Sequence, residues 1–272
     1  MKAFVTGWPI SHSKSPKLHG YWLKAYGILG TYEPLAIDPD AFPDFIRQLP
    51  NSEFVGGNIT IPHKETAHDL IKNRSEAAEM IGAVNTLWTV DGTIYADNTD
   101  AYGFCANLDQ FAPRWKSMKT ATVLGAGGAS RAIIHGLIDA GFKNIRIVNR
   151  TFKRAKALSD RFGAKTTAHG LPSLPELLPD TELLVNTSSM GMTGENTSQV
   201  PDLAQMPKTS LVTDIVYTPL VTPLLEAAKK LELESVDGLG MLLHQAVPGF
   251  EKWFGRRPDV SQGLRSALLE ES

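Results

Sequence analysis

The sequence predicts an α/β protein of two domains, each built on a mainly parallel β-sheet. Short runs rich in Val, Ile and Leu alternate with amphipathic helical segments along most of the chain, which is the order that builds a sheet covered by helices. The length of 272 residues suits one or two domains of about 150 residues each. Hydrophobic residues make up 42% of the chain, which is enough for a core in each domain.

The N-terminal part of the chain predicts alternating strands and helices followed by a β-hairpin. Ser15 is expected to cap the first helix, with Pro16 at its first position. Asp91-Gly92 is typical of a two-residue hairpin turn, so antiparallel strands are expected at one edge of an otherwise parallel sheet. The predicted strands are residues 2–7, 31–37, 54–60, 83–90 and 93–97, and the predicted helices are residues 16–26, 41–49 and the segment after Pro62.

A polar stretch at residues 113–120 follows a predicted helix near residues 101–111, and the second domain is expected to begin in or just before that stretch. From there the alternation is regular and predicts a parallel sheet with helices on both faces. The predicted strands are residues 120–127, 144–150, 181–188 and 211–217, and the predicted helices are residues 129–141, 152–162, 238–255 and 260–271.

Charge and cysteine content exclude several classes of protein. Lys and Arg number 27 against 29 Asp and Glu, so nothing favours a nucleic acid or a membrane surface as partner. The single cysteine, Cys105, cannot form an internal disulfide; it is expected to be a buried helix residue and favours a reducing compartment. We find no signal peptide and no apolar run of about 18 residues. We therefore expect a cytoplasmic protein, and we predict no metal site.

The segment VLGAGGAS, residues 123–130, predicts a nucleotide-binding turn. Gly125, Gly127 and Gly128 lie between a predicted strand and a predicted helix, where glycine lets backbone N–H groups approach a pyrophosphate at the positive end of the helix. Ser130 takes the place of the third glycine of the usual fingerprint. The context favours a Rossmann-type, doubly wound domain. The alternative is a structural glycine turn in another α/β protein.

The end of the next predicted strand indicates which dinucleotide binds. An NAD site usually has an acidic residue there for the ribose 2′-hydroxyl, whereas this strand ends Val148-Asn149-Arg150-Thr151, with Arg154 following. A guanidinium can chelate a 2′-phosphate, so NADP is favoured over NAD. A solvated helix start is the alternative, but cations at a helix N-terminus oppose the helix dipole and call for an anion nearby.

Small polar side chains are dense in the N-terminal part, at positions where strands are expected to end. Hydroxyl and amide groups suit a pocket for a polyhydroxylated molecule, because each substrate hydroxyl needs a partner once it leaves water. Each also has an ordinary structural reading, such as a helix cap for Ser15 or Asp100 and a solvated surface position for Lys64. Spacing alone does not bring Lys64 and Asp100 together. The candidates are Ser13, Ser15, Asn58, Thr60, Lys64, Asn85 and Asp100.

The chain resembles the shikimate dehydrogenase family in short motifs that occur in order between residue 10 and about residue 246. They are SHSKSP, NITIPHKE, GAVNT, DNTDAYGF, VLGAGGASRA, NRT, NTSSMGM, DIVYTPLVTPLL and GLGMLLHQA. Each motif is short, but the ordered set is specific. The resemblance implies NADPH-dependent reduction of 3-dehydroshikimate to shikimate, in aromatic amino-acid biosynthesis.

The resemblance also implies roles for individual residues. Lys64 and Asp100 match the family's catalytic pair, which would supply the proton and the positive charge that a reduced carbonyl needs. Ser13 and Ser15 match its carboxylate-binding serines. The remaining substrate residues are Asn58, Thr60, Asn85, Gln245 and Tyr217. The cofactor residues are Gly125, Ala126, Gly127, Gly128, Ala129 and Ser130 for the phosphates, Asn149, Arg150, Thr151 and Arg154 for the 2′-phosphate, and Thr187, Met190, Gly238 and Met241 on the nicotinamide side.

Domain boundaries follow in part from this resemblance, because Gln245 can contact substrate only if the C-terminal helices return to the first domain. We expect residues 1–100 with 240–272 to form a substrate domain and residues 101–239 an NADP-binding domain, with substrate in the cleft between them. His63, where the family often has an aromatic residue, is expected to be structural despite its place beside Lys64, and so is His12.

Two other functions stay open. A quinate/shikimate dehydrogenase of broader specificity is the first, although such relatives often use NAD with an acid near the position of Arg150. A non-catalytic NADP-binding regulator is the second, but it would be expected to lack the Lys64 and Asp100 pair. For the assembly, a homodimer stays open.

Overall fold

The computed structural model describes residues 1–193 and 200–270. In chain order the strands are β1 (Lys2–Gly7), β2 (Thr31–Ala36), β3 (Phe54–Ile59), β4 (Asn73–Arg74), β5 (Thr86–Val90), β6 (Thr93–Asp97), β7 (Thr120–Leu124), β8 (Asn144–Asn149), β9 (Thr166–Gly170), β10 (Leu183–Asn186), β11 (Leu211–Asp214) and β12 (Glu234–Val236). The α-helices are α1 (Ser15–Tyr26), α2 (Phe42–Gln48), α3 (Lys64–Leu70), α4 (Glu76–Ile81), α5 (Asp100–Phe111), α6 (Gly128–Asp139), α7 (Phe152–Phe162), α8 (Leu174–Leu177), α9 (Pro223–Lys230), α10 (Leu239–Phe254) and α11 (Gln262–Leu269).

The chain divides into two compact units. Unit 1 comprises Met1–Asp100 and Leu243–Ser272, and unit 2 comprises Ala101–Leu242. The chain passes from one unit to the other within α5 and again within α10. Each unit has its own sheet with helices packed on it, which confirms the predicted α/β class.

The sheet of unit 1 is mixed and mainly parallel, as predicted. Its strand order is β2-β1-β3-β5-β6-β4, and the antiparallel pairs are β3 with β5 and β5 with β6. The β5–β6 hairpin turns at Asp91 and Gly92, with φ values of 49° and 74°. Both central residues of a type I′ turn need positive φ, which Asp and Gly adopt more readily than most residues, and the predicted hairpin is confirmed.

The core of unit 1 is built around Phe4 on β1. Its ring meets those of Phe45 and Phe54 edge to face, with centroids 5.2 Å apart in both cases. The C-terminal chain joins this unit through Trp253 on α10, whose indole N–H donates to the Leu87 carbonyl oxygen at 2.8 Å. Burying a side chain of this size contributes about 1.5–3 kcal/mol each, so the aromatic cluster stabilises unit 1 substantially.

The sheet of unit 2 is wholly parallel and has the order β12-β11-β10-β7-β8-β9. The chain starts in the middle at β7, runs outward through β8 and β9, and then returns to the other side of β7 at β10. This is the strand order of a doubly wound nucleotide-binding domain, and its reversal point lies between β7 and β10. The Rossmann-type prediction is confirmed.

Helices cover both faces of the sheet in unit 2. One face packs against α5, α6 and α7 through side chains that include Phe104, Ile133 and Leu158. The opposite face packs against α8 and α9 through Leu174 and Leu224. Because both faces are covered, the central strands β10 and β11 are buried along their whole length.

The predicted cap of the first helix is wrong. Helix α1 begins at Ser15 and not at Pro16, its N-cap is Lys14, and that cap makes no side-chain hydrogen bond. Ser15 is 9% exposed, and its hydroxyl opposes the rise that burial gives to the pKa of Tyr32. The helix therefore starts one residue earlier than the capping pattern predicts, and it starts without a side-chain cap.

Several short elements were not predicted. They are β4, α4, α8, β9, α9 and β12. Helix α4 did carry local signals, since the Ser75 hydroxyl accepts the Ala78 N–H and Gly82 ends the helix in the left-handed region. Elements this short contain too few residues to show a clear periodicity of apolar side chains.

None of the described helices combines the length and the apolar composition that a bilayer crossing requires. Within residues 1–193 and 200–270, no group of three or more His, Cys, Asp or Glu side chains is arranged to hold a metal ion.

Candidate active site

Lys64 and Asp100 form an ion pair in unit 1. The Lys64 Nζ atom lies 2.7 Å from the Asp100 Oδ2 atom, although 36 residues separate the two in the chain. The lysine side chain is 27% exposed and the aspartate side chain 16%. Both groups are thus held in place and still reachable, which is what a proton-transferring group needs.

The sheet of unit 1 brings the pair together. Lys64 begins α3, which follows β3, and Asp100 begins α5, which follows β6. Asn58 near the end of β3 and Asp97 at the end of β6 both pair with Thr86, the first residue of β5. The two strand ends therefore flank one point at a single edge of the sheet, and the residues after them meet there.

Asn85 orients the carboxylate of Asp100. Its Oδ1 atom accepts the Thr99 N–H at 2.9 Å and the Thr86 hydroxyl at 2.9 Å. These donors fix which end of the amide is oxygen, so its nitrogen faces the carboxylate and donates to Asp100 Oδ1 at 2.8 Å. Each carboxylate oxygen thus has its own donor, one from the lysine and one from this amide.

Gln245 reaches the same cluster from α10. The Asn85 Nδ2 atom lies 3.5 Å from Gln245 Oε1, and the Thr99 hydroxyl donates to the Gln245 carbonyl oxygen at 2.8 Å. The C-terminal part of α10, from Leu243, belongs to unit 1. The side-chain amide of Gln245 therefore stands beside the Lys64 and Asp100 pair.

Asn58 is only 6% exposed, and its amide is used within the protein. The Tyr32 hydroxyl donates to Asn58 Oδ1 at 2.6 Å, while Asn58 Nδ2 donates to the Asn85 carbonyl oxygen at 3.0 Å and to Thr86 Oγ1 at 3.1 Å. Burial raises the pKa of Tyr32, so its hydroxyl keeps its proton and stays a donor. Asn58 is thereby fixed before any ligand arrives.

Ser13, Ser15 and Thr60 carry hydroxyls at the same edge of the sheet. Ser13 and Ser15 follow β1 and Thr60 follows β3, and these two strands are parallel neighbours. The Ser15 N–H donates to Ser13 Oγ at 3.3 Å, which draws the two serines together. Carboxyl ends of parallel strands meet at one edge, so all three hydroxyls fall on the edge that carries Lys64.

Sequence reasoning did not single out Tyr32, Thr86 or Thr99, although all three are buried and hold the cluster in place. Thr86 and Thr99 stand next to Asn85 and Asp100, inside the motifs GAVNT and DNTDAYGF, so adjacency was an available signal. Tyr32 gave no signal beyond being an aromatic residue in a strand.

His63 is structural, as expected. Its ring is 1% exposed, stacks on Phe42 with centroids 4.3 Å apart, and donates from Nε2 to the Ile37 carbonyl oxygen at 2.8 Å. Burial lowers the pKa of His63 and favours the neutral ring. His12 is exposed in the loop before Ser13.

The glycine-rich turn joins β7 to α6 in unit 2. Gly125 has a φ of 111°, and a Cβ atom there would lie 2.7 Å from Thr187 Oγ1, so only glycine fits. Gly127 and Gly128 are exposed at the start of α6, where the first N–H groups find no partner within a helix. Such a helix start favours an anion. Ala126, Ala129 and Ser130 complete the turn.

The turn after β8 presents cations and no carboxylate. Arg150, Thr151 and Arg154 are exposed, and the Asn149 side-chain amide donates to the Thr151 carbonyl oxygen at 3.0 Å, which fixes the turn before α7. Because β8 lies beside β7, these guanidinium groups and the glycine turn share one edge of the sheet. They fit a dinucleotide with an additional phosphate on its ribose.

The other predicted cofactor residues stand at the same edge of unit 2. Thr187 follows β10, and Gly238 follows β12, where a Cβ atom would lie 2.5 Å from the Ile215 carbonyl oxygen. Met190 and Met241 pack against the cores of this unit. Tyr217 follows β11, and burial raises its pKa. Tyr217 is thus the one predicted substrate residue that lies outside unit 1.

A buried carboxylate shapes the turn that carries Thr187 and Met190. Asp214 accepts the side-chain amide of Asn186 at 2.9 Å and the Thr222 hydroxyl at 2.7 Å, along with a backbone N–H. The same Asn186 amide donates to the Met190 carbonyl oxygen at 3.2 Å. Burial raises the pKa of Asp214 to about 6.

A doubly wound sheet with a glycine-rich turn and two exposed arginines at one edge, joined in one chain to a lysine–carboxylate pair, is typical of a nicotinamide-nucleotide-dependent oxidoreductase. Family models match residues 5–87 (shikimate dehydrogenase substrate binding domain), 109–242 (shikimate / quinate 5-dehydrogenase) and 238–268 (shikimate 5′-dehydrogenase C-terminal domain). The chain is 56% identical to the shikimate dehydrogenase (NADP(+)) of Mesorhizobium japonicum, over 99% of this chain and 96% of that one. The chain belongs to the shikimate dehydrogenase family.

Solved structures agree with this assignment. Shikimate 5-dehydrogenase from Thermus thermophilus, in complex with NADP(H) and shikimate, is 34% identical, with a TM-score of 0.86 over 99% of this chain and 98% of that one. Quinate dehydrogenase from Corynebacterium glutamicum, in complex with NAD, is 28% identical, with a TM-score of 0.90 over 100% of this chain and 99% of that one.

Proposed function

We propose that this chain catalyses the reversible NADPH-dependent reduction of 3-dehydroshikimate to shikimate, a step of aromatic amino-acid biosynthesis. The observation that carries the proposal is the 2.7 Å contact between Lys64 Nζ and Asp100 Oδ2 in a member of the shikimate dehydrogenase family. An ion pair that is held in direct contact and is still reachable by solvent is suited to chemistry rather than to stability.

Lys64 is proposed as the proton donor. Bound NADPH supplies the hydride. The ketone oxygen gains negative charge as it is reduced, and it needs a proton and a positive charge close by. The Lys64 ammonium provides both, and in the reverse direction the neutral amine accepts the proton of the substrate hydroxyl. Asp100 holds the ammonium through Oδ2, while Asn85 holds Asp100 through Oδ1.

The remaining polar groups of unit 1 are proposed to recognise the substrate. Ser13 and Ser15 would bind its carboxylate, and Asn58, Thr60, Asn85 and Gln245 would bind its hydroxyls, with Tyr217 of unit 2 as a further contact. The internal hydrogen bonds of Asn58 and Asn85 support this proposal, because fixed partners save the entropy of ordering side chains on binding.

The cofactor residues are proposed to divide the nucleotide between three places in unit 2. Gly125 to Ser130 would hold the pyrophosphate, Asn149, Arg150, Thr151 and Arg154 the 2′-phosphate, and Thr187, Met190, Gly238 and Met241 the nicotinamide side. The exposed arginines and the absence of an acidic residue at positions 149–151 support NADP over NAD. Residues 1–100 with 240–272 would then form the substrate domain and residues 101–239 the NADP domain.

A direct product assay tests the proposed reaction. Purified protein is mixed with 3-dehydroshikimate and either NADPH or NADH, absorbance at 340 nm is followed, and the product is identified by chromatography. Oxidation of NADPH with formation of shikimate is the expected result. Turnover with NADH alone, or no turnover with either cofactor, would contradict the proposal.

A second candidate, a quinate/shikimate dehydrogenase of broader specificity, is favoured by the structural likeness to the quinate dehydrogenase of Corynebacterium glutamicum. A comparison of kcat/KM for shikimate and for quinate distinguishes the two candidates. We expect kcat/KM for shikimate with NADP⁺ to exceed that for quinate with either cofactor by a large factor, because one missing or extra hydroxyl leaves buried polar groups unpaired. Comparable rates on the two substrates would favour the second candidate.

A cytoplasmic location and a homodimer are also proposals. The single cysteine, Cys105, supports a reducing compartment, and burial raises the pKa of its thiol to about 12, which keeps it unreactive. Fractionation of cells would test the location, and light scattering at micromolar concentration would test the dimer.

A further inference from the structure

Two buried hydroxyls link the glycine turn to the end of β10. The Gly127 N–H donates to Ser130 Oγ at 3.1 Å, Ser130 Oγ lies 2.7 Å from Thr187 Oγ1, and Thr187 Oγ1 donates to the Leu124 carbonyl oxygen at 2.8 Å. Ser130 is fully buried and Thr187 is 8% exposed.

The direction of this chain of hydrogen bonds is determined by its two ends. The Gly127 N–H can only donate, and the Leu124 carbonyl oxygen can only accept. The Thr187 hydroxyl therefore donates to the Leu124 carbonyl oxygen, and the Ser130 hydroxyl donates to Thr187 Oγ1. Neither hydroxyl has a proton left for a ligand, so neither hydroxyl can donate a hydrogen bond to the cofactor.

The chain of hydrogen bonds crosses the reversal point of the sheet. Leu124 ends β7 and Thr187 follows β10, which are parallel neighbours with Asn186 opposite Leu124. The two segments are already in close contact, since a Cβ atom on Gly125 would lie 2.7 Å from Thr187 Oγ1 and 3.1 Å from the Ser188 nitrogen. In doubly wound sheets the dinucleotide binds at this reversal point.

We propose that Ser130 and Thr187 are a pair of positioning residues that lock the nucleotide-binding turn to the segment after β10. The inference rests on the proposed NADP-dependent function. By taking up the Gly127 N–H, the pair holds the turn in the conformation in which the N–H groups of Gly128 and Ala129, in the first turn of α6, are left for the pyrophosphate. The serine at the third fingerprint position is thus a hydrogen-bonding residue as well as a small one.

Direct binding of NADPH, followed by its fluorescence, tests the pair in Ser130→Ala, Thr187→Val and the double variant. Each single variant is expected to weaken NADPH binding about tenfold, since a buried partner is left unsatisfied. The double variant should bind within about threefold of the weaker single variant, because either change breaks the same chain of hydrogen bonds. Thr187→Ser keeps the hydroxyl and should bind like the wild type.

Unit 2 offers a matched control. Thr122 Oγ1 lies 2.7 Å from Thr181 Oγ1, which donates to the Leu177 carbonyl oxygen at 2.8 Å, and both threonines are fully buried. The geometry repeats that of the proposed pair, but Thr122 lies within β7 and away from its carboxyl end. Thr122→Val should lower the melting temperature about as much as Thr187→Val while leaving the Kd for NADPH within about twofold of wild type.

The steady-state parameters add a readout that general loss of stability would not move. In Ser130→Ala and Thr187→Val, the KM for NADP⁺ should rise about tenfold while the KM for shikimate changes less than about twofold. Multiplying effects in the double variant, equal weakening by Thr122→Val, or unchanged NADPH binding in Thr187→Val would each overturn the inference. If the wild type fails to bind NADPH, the proposed function fails instead.

Discussion

At the scale of residues, the Asp100 carboxylate joins the two halves of the proposed catalytic cluster. One oxygen takes the Lys64 ammonium and the other takes the Asn85 amide. The oxygen of that amide accepts the Thr86 hydroxyl and the Thr99 backbone N–H, so the orientation of the lysine depends on residues outside the proposed substrate set. The sequence pointed to Lys64, Asn85 and Asp100 through resemblance, but the hydrogen bonds that orient them depend on tertiary contacts that no spacing encodes.

Asp100→Asn should lower kcat with shikimate and NADP⁺ about 100-fold, because the neutral amide no longer holds the ammonium of Lys64 in place. Steady-state kinetics at saturating substrates measures the effect. Asp69→Asn is the control: its carboxylate is 81% exposed on α3, and kcat should stay within about twofold. A kcat near the wild-type value in Asp100→Asn would remove this residue from the proposed mechanism.

Arg150→Ala should raise the KM for NADP⁺ about tenfold or more and leave the KM for NAD⁺ nearly unchanged, because the exposed guanidinium is proposed to bind the 2′-phosphate. Steady-state kinetics with each cofactor gives the ratio of the KM for NADP⁺ to the KM for NAD⁺. Lys156→Ala removes a cation from the same helix, where the lysine pairs with Asp160, and should leave this ratio unchanged. Equal losses with the two cofactors in Arg150→Ala would count against this site.

At the scale of elements, the long strands and helices were predictable and the short ones were not. The runs that became β7, β8, α6 and α7 have enough residues to show their periodicity, and the Asp91-Gly92 turn has a backbone that few other pairs adopt. In contrast β4 has two residues and is defined only by its pairing with β6. The predicted Ser15 cap is wrong because α1 begins at Ser15 itself, with Lys14 as its N-cap, and helix ends shift by a residue more easily than helix centres.

Replacing each of two glycines of unit 1 with alanine should change the free energy of unfolding in opposite directions. Gly20 lies exposed within α1 with open space around it, so Gly20→Ala should stabilise the protein by about 0.5–1 kcal/mol. Gly92 has a φ of 74° in the hairpin turn, so Gly92→Ala should destabilise it by about 1 kcal/mol. Urea denaturation measures both. The same sign for the two changes would contradict the described backbone.

The buried Asp214 predicts a pH dependence of the stability of unit 2. Burial raises the pKa of Asp214 from 3.8 to about 6, so the folded protein holds this proton more tightly than the unfolded chain. The resulting stabilisation is complete below pH 3.8 and is lost as the pH rises through about 6.

Asp214→Asn removes that titration, and its amide can donate to the Thr222 hydroxyl in place of accepting from it. Free energies of unfolding measured between about pH 4 and 7 should therefore fall less steeply with rising pH in the variant than in the wild type. Asp160→Asn, an exposed carboxylate on α7, should keep the wild-type slope. Parallel curves for Asp214→Asn and wild type would contradict the assignment.

At the scale of the whole molecule, the order of elements predicted the fold class, and the ordered motifs predicted the family. The doubly wound order of unit 2 followed from the regular alternation of strands and helices, because right-handed crossovers between parallel strands leave few possible topologies. The return of the C-terminal chain to unit 1 came only with the family resemblance, since nothing in the periodicity of α10 says which sheet its Trp253 will contact. The pairing of Lys64 with Asp100 likewise required the complete sheet of unit 1.

The kcat of Lys64→Ala with shikimate and NADP⁺, measured together with the Kd for NADPH in the same preparation, tests the central claim most directly. A loss of kcat of about 1,000-fold or more with NADPH affinity within about threefold of wild type is the predicted result. Lys72→Ala, an exposed lysine just beyond α3, serves as the control and should keep full activity. A Lys64→Ala enzyme that turns over within about tenfold of the wild-type rate would contradict the role given to the lysine–aspartate pair.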